Sequence, residues 1–329
     1  MIFLHSSFRT SSTWLWTQFR SNDQVVAYYE IFNERLATIT PVELMREKPE
    51  NWASNHPAGP PYFLEFLPLL KEAGGVEKYD ASMAFDMFIP AEGIGGALSQ
   101  SESLYLASLV DHAERMGKIP LLSCTRSLGR LRAIKAAVPG FHILIYRNLF
   151  QQWCSYVDQG ARGNPYFLST IPATLEASQH DPFLKYLGTL FPLDKFTMTS
   201  RIYFYCFVLL HLYLYAQAAE AADLIIDTNL LADDAAYRQR IEDRIAEASG
   251  LAVDLSDARN AITTSFAKSV SADELLAQLT PLAELVLATV PSSKGRDFAS
   301  KVLADFIQEY RRYDFKARAS AEVDSHIDA

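Results

Sequence analysis

The chain begins with a short apolar run, Ile2-Phe3-Leu4, passes through the hydroxyl-rich stretch from Ser6 to Ser12, and continues from Thr13 to Arg20 with helical periodicity. Such a pattern predicts strand, loop and helix in that order. This is the order of a phosphate cradle. A helix start presents free backbone N–H groups and the positive end of the helix dipole, so a loop feeding into it binds anions without many charges. Arg9 adds a permanent charge, and Thr10, Ser11, Ser12 and Thr13 add hydroxyl donors. The common nucleoside-triphosphate pattern, G-x-x-x-x-G-K-[ST], needs glycines and a lysine that this segment lacks.

What Arg9-Thr10-Ser11-Ser12-Thr13-Trp14-Leu15 resembles is the 5'-phosphosulfate loop of sulfotransferases: Lys or Arg, a small residue, Gly, Ser or Thr, then Thr. The resemblance implies PAPS, 3'-phosphoadenosine 5'-phosphosulfate, as donor and PAP as product. Arg9 takes the basic position, Ser12 and Thr13 the paired hydroxyls, and Ser11 stands where the family usually has glycine. A second match lies at Phe141–Tyr156, where an apolar run ends at Arg147 and Ser155 follows eight residues later. It is similar to the family's 3'-phosphate segment, with Asn148 in keeping and Leu149 in place of the usual proline. PAPS carries negative charge at both ends, so two arginine sites at strand ends suit it, each fork donating two parallel hydrogen bonds to one phosphate.

The same resemblance implies a base. Several subfamilies place a catalytic glutamate about twenty residues past the loop's basic residue, soon after the second strand, and Glu30 has that spacing, with Glu34 as the second candidate. Cytosolic sulfotransferases of animals carry Lys-Thr-His at the end of the next strand; Cys124-Thr125-Arg126 stands here, which favours a glutamate base. The run S-S-K-G-R resembles the loop with which some members cover the 3'-phosphate, making Lys294 and Arg296 further cofactor candidates. No metal is expected.

The remaining chain is read in order. Val25–Tyr29, Ile119–Cys124, Phe141–Tyr146 and Asp223–Asp227 predict further strands, and Met83–Ile89 either a strand or part of a lid. His5 is expected to be a packed core histidine. Residues 35–84 are broken by six prolines, so 35–117 reads as an irregular and helical insertion over the acceptor side, with Trp52, His56, Tyr62 and Phe66 either lining its wall or belonging to the core. Of the basic cluster Arg126, Arg130, Arg132 and Lys135, only the earliest members are expected to face the cleft, and Arg162 reads as a solvated loop charge. Helices are predicted at Ser101–Met116, Ala235–Ser249, Ser271–Thr289 and Asp297–Tyr313.

A formal charge of -9 argues against a nucleic-acid binder, whose surface is basic, but not against an anionic cofactor held by a few clustered arginines. The apolar stretch Ile202–Ala219 approaches the length of a membrane span, yet His211, Gln217 and its tyrosines favour a buried helix. Three cysteines, odd in number and widely spaced, suit a reducing cytoplasm, and with the first strand starting at Ile2 a cytoplasmic protein without a signal peptide is expected.

The expectation is a single α/β domain over residues 1–329, with a P-loop-like central parallel sheet of about five strands flanked by helices, and C-terminal helices from residue 235 packing on the core. The expected activity is transfer of a sulfuryl group from PAPS to a hydroxyl of a glycan or other small alcohol, with no nucleic-acid or membrane partner. A phosphoryl-transfer enzyme and a non-catalytic nucleotide-binding protein are the competing readings.

Overall fold

A computed structural model of the chain describes residues 1–48, 59–84, 88–260 and 271–327, with side chains through residue 314. The elements run β1 (Ile2–His5), α1 (Ser12–Arg20), β2 (Val25–Tyr28), α2 (Pro41–Arg46), α3 (Gln100–Arg115), β3 (Ile119–Cys124), α4 (Leu131–Ala137), β4 (Phe141–Tyr146) and α5 (Leu149–Ala161). They continue with α6 (Tyr166–Ala177), α7 (Pro182–Leu190), α8 (Arg201–Ala221), β5 (Leu224–Asp227), α9 (Thr228–Asp233), α10 (Ala235–Ser249), α11 (Ala272–Thr289) and α12 (Ser293–Ile327). The chain folds as two compact units, Met1–Arg147 with Ala221–Ala261, and Asn148–Glu220 with Ile262–Ala329.

The first unit holds the sheet. Its five described strands are all parallel in the order β2-β3-β1-β4-β5, as the α/β expectation requires. Parallel strands are covered on both faces and therefore read as unbroken apolar runs; every residue of β1 and β2 is buried, as is all of β3 and β4 after the first residue. From β1 the chain leaves toward β2, whereas from β4 it leaves toward β5, so the connections diverge between these neighbours. In open parallel sheets that divergence opens a crevice outside the carboxyl ends of the strands, where ligands bind.

Helix α3 packs against β2 and β3. It starts with a capping box: Ser99 N–H donates to Glu102 Oε2 at 2.8 Å and Glu102 N–H to Ser99 Oγ at 3.1 Å. The insertion before α3 is pinned to α1 by Arg20, whose Nε and Nη2 donate to the two carboxylate oxygens of Glu65 at 2.7 and 3.1 Å. Tyr62 and Phe66 belong to the core, Tyr62 against Trp16 and Tyr29, and Phe66 against Tyr28. Trp52 and His56 lie outside the described residues. Of Met83–Ile89, the described part is not a strand: a 3-10 turn, Ala81–Met83, ends there, and Phe88 and Ile89 form a bend, while 85–87 lie outside the described residues.

The second unit is helical. Helix α8 is long and apolar enough to cross a membrane, but 89% of its apolar window is buried inside the protein. It is apolar all round because other helices cover it all round: Trp153 and Tyr156 of α5 meet Phe204 and Phe207, Phe183 of α7 lies tilted against Tyr213, and Phe298, Phe306 and Tyr310 of α12 meet Tyr215 and Phe204. Helices α11 and α12 pack on each other in this same unit.

His5 is a packed core residue, as expected. Its ring stacks on Phe3 at 4.0 Å, and its Nε2 meets His142 Nδ1 at 2.9 Å. His142 Nε2 lies 3.0 Å from the carbonyl of Val138, which can only accept, so the neutral His142 carries its proton there and takes a hydrogen bond from His5. Burial holds both rings neutral, His142 down to about 4 and His5 well below the usual histidine range.

The sign of the pH effect follows: the unfolded rings charge below about 6.5 while the folded rings do not, so stability is full above that pH and falls as the pH drops toward 4. His142 alone should cost about 1.5 kcal/mol between pH 6.5 and 5. Urea unfolding at pH 7 and pH 5 should show this loss in the wild type and a smaller one in His142→Gln.

Candidate functional site

The carboxyl edge of the sheet is built by the residues that leave each strand. From β1, Ser6 N–H still pairs with the carbonyl of Cys124 at 3.2 Å, and the loop then turns through Arg9 and Ser11, both left-handed at φ 63° and 65°. Thr10 Oγ1 closes the turn onto the Ser7 carbonyl at 3.0 Å, and Ser11 is the N-cap of α1, its carbonyl accepting from Leu15 N–H at 3.1 Å. A left-handed backbone is costly for residues other than glycine. Ser11, where the resembling motif has glycine, therefore adopts the conformation that glycine would supply. Left-handed residues in a turn are also what anion-binding backbone nests are made from.

The second predicted arginine reaches the loop of the first. Arg147, the residue after β4, is buried, and its Nη1 donates to the carbonyl of Arg9 at 3.1 Å. Both thus lie on one edge, at the divergence between β1 and β4. The hydroxyls are less alike than expected. Thr13 Oγ1 shares a 2.7 Å hydrogen bond with Tyr29 Oη, and Ser12 is the buried first residue of α1.

Glu30 follows Tyr29 at the end of β2 and takes a left-handed conformation, φ 45°. Ile31 N–H donates to the Ser123 carbonyl at 3.2 Å, which ties this turn to β3. The Glu30 carboxylate is buried and held at both oxygens: Thr125 N–H donates to Oε1 at 3.1 Å and Arg126 Nη1 to Oε2 at 2.9 Å. Burial pushes its pKa above the usual carboxylate range, and the Arg126 charge pulls the other way. Glu34, 61% exposed at its side chain, reaches the same guanidinium at 3.5 Å. The Arg126 guanidinium also lies over the ring of Phe8, 5.4 Å from its centroid. Arg126 therefore links the Glu30 turn to the Arg9 loop. Its signal in the sequence was its place just beyond β3, but nothing in the sequence named its partner.

Other basic residues are scaffold. Arg130 is fully buried, pairs with Glu102 at 3.0 Å and lies 4.1 Å over Phe32. Lys135 pairs with Asp223 at 2.5 Å, and Arg162, at the end of α5, with Asp158 at 3.2 Å. Cys124 is no nucleophile at neutral pH, since burial pushes its thiol up to about 12.

The remaining cofactor candidates belong to the helical unit. Ser155 is buried in α5. The S-S-K-G-R run is not a loop: Lys294 and Arg296 sit in the first turn of α12, and Arg296 Nη1 donates to the carbonyls of Val290 and Pro291 at 2.9 and 3.0 Å. Ser292 and Gly295 allow that helix start, the Ser292 hydroxyl accepting from Gly295 N–H at 3.1 Å. A cavity of about 280 Å³ opens elsewhere, at the amino-terminal ends of β2 and β3, lined by Arg20, Asp23, Glu65, His112 and Lys118 among others. Its arginine and glutamate are the pair that pins the insertion.

Comparison with protein-family models, with curated proteins and with solved structures returned no match.

The left-handed turn gives a direct test. Ser11→Gly should leave stability unchanged or raise it by up to about 1 kcal/mol, because relief of left-handed strain outweighs the added freedom of the unfolded chain. Ser11→Val, branched at Cβ, should cost about 1 kcal/mol or more. Thermal denaturation of the two variants checks both values.

Proposed function

We propose that the chain is a PAPS-dependent sulfotransferase on a P-loop-like sheet, moving a sulfuryl group to a hydroxyl acceptor and releasing PAP. The observation that carries this reading is the meeting of Arg147 with the Arg9 carbonyl at 3.1 Å, at the divergence between β1 and β4. The Arg147 guanidinium and the Arg9 loop, from motifs more than a hundred residues apart, meet at the sheet edge where such sheets bind ligands. The left-handed Ser11 at the motif's glycine position supports the same reading.

In this mechanism Arg9, the loop N–H groups and the start of α1 stabilise the negative charge that grows on the phosphate oxygen as the sulfur–oxygen bond to PAPS breaks. The acceptor oxygen forms the new bond to sulfur and gives its proton to Glu30. A base must come within hydrogen-bond reach of that proton, so the acceptor has to approach a carboxylate already held by Thr125 and Arg126. Arg147 is the proposed contact for the 3'-phosphate at this edge.

One observation favours a second reading. Both Glu30 oxygens already accept hydrogen bonds, as those of a purely structural carboxylate do. On that reading the chain is a nucleotide-binding protein without turnover.

Calorimetry and a sulfuryl-transfer assay decide among these. PAP should bind at least about tenfold more tightly than adenosine 5'-monophosphate, since a charge-assisted contact contributes about 1.5–3 kcal/mol. Equal affinities would remove the 3'-phosphate assignment. Glu30→Gln should lower kcat by about 100-fold or more while leaving PAP affinity within about threefold of wild type. Arg9→Ala should lower both turnover and nucleotide affinity. Tight PAP binding with no transfer to any hydroxyl acceptor, and no slow hydrolysis of PAPS, would select the second reading.

A further inference from the structure

Glu30 and Arg126 form a buried pair that the transfer reaction does not by itself demand. We propose that Arg126 is a positioning residue for Glu30, holding its carboxylate ionised and at a fixed orientation without itself touching the reacting atoms. The catalytic meaning of this role rests on the reading of Glu30 as the base; the hold itself does not.

The argument starts from geometry. Consecutive residues, Thr125 through its N–H and Arg126 through Nη1, each fix one oxygen of Glu30, so the carboxylate cannot rotate without losing a bond. Both donors are anchored, because they follow β3 directly and Cys124 is registered against His5 in the sheet. The Phe8 ring beneath the guanidinium limits its movement, and the Ile31 to Ser123 hydrogen bond holds the backbone beside Glu30. Each side chain of the pair is only 4% exposed.

Charge gives the pair its consequence. The groups facing Glu30 are Arg126 from the turn after β3, Glu34 from the turn after β2, Tyr29 beside it and the neutral thiol of Cys124; Tyr79 and Arg130 lie in the field of the same cluster. Burial and Glu34 both favour the protonated acid. Arg126 and the Thr125 hydrogen bond oppose them. Without the guanidinium a buried carboxyl takes up a proton at higher pH, and a protonated acid cannot accept one from an alcohol.

The test reads Glu30 directly. In full-length protein labelled with ¹³C-glutamate, the Glu30 carboxyl signal is identified by its loss in Glu30→Gln and followed through a pH titration in wild type, Arg126→Met and Arg126→Lys. The midpoint should rise by at least about one pH unit in Arg126→Met, and Arg126→Lys, which keeps the charge, should restore most of the shift. The acidic limb of the kcat/KM profile should move with it. A folded Arg126→Met whose Glu30 titrates at the wild-type pH overturns the proposal. Should Arg126→Met fail to fold, the double variant Glu30→Gln/Arg126→Met must fold with a denaturation midpoint close to that of Glu30→Gln. An unfolded double variant also overturns it, since the guanidinium would then be serving something other than Glu30. Wild-type protein that transfers no sulfuryl group sinks the reading of Glu30 as a base, while the titration still decides whether Arg126 governs its charge.

Discussion

The register of β1 between β3 and β4 is the constraint on which the candidate site depends. Ile2 is level with both Leu121 and Phe141, and His5 with both Cys124 and Leu144. Three strands drawn from distant parts of the chain therefore finish within a few residues of one another. The Arg9 loop, the Thr125-Arg126 turn and Arg147 emerge side by side as a consequence. Parallel pairing fixes the level of every strand end at once, so a one-residue slip of β1 would turn its side chains to the opposite face and move the loop with it.

Two buried arginine pairs in the sheet unit differ in what accounts for them. Glu102 belongs to the capping box of α3 as well as pairing with the buried Arg130. Its role is accounted for by the helix it starts. Glu30 caps no helix, sits in a left-handed backbone conformation, and is held by a residue that also contacts the Arg9 loop. Buried ion pairs are weak devices for stability, because desolvation offsets much of the attraction. Strained residues cluster where function needs a fixed geometry. The strain at Arg9, Ser11 and Glu30 falls along a single edge, which is where the proposed chemistry places its loop and its base.

Several features were legible because they depend on local chemistry. The opening strand-loop-helix, the apolar runs of the parallel sheet and the core role of α8 all follow from periodicity and length. Misreadings arose where a short pattern fits two local structures. The S-S-K-G-R run carries small residues that suit a loop, yet Ser292 and Gly295 instead form the start of α12. For Tyr62 and Phe66 composition leaves wall and core equally open, and contact with Trp16, Tyr28 and Tyr29 puts them in the core. Nothing local announces that the Thr13 hydroxyl shares a hydrogen bond with Tyr29 Oη.

What the sequence alone determined is the menu of local parts: apolar strands, a hydroxyl-rich turn headed by Arg9, a helix to follow it, and an arginine at the end of another strand. Which side chains face each other was decided only by the tertiary structure. The pairing of Glu30 with Arg126 spans 96 positions and that of Arg147 with the Arg9 carbonyl 138. Such contacts leave no periodic trace in the chain, because they exist only once sheet register has brought the strand ends level, and a guanidinium has no preferred partner until burial removes water as the alternative.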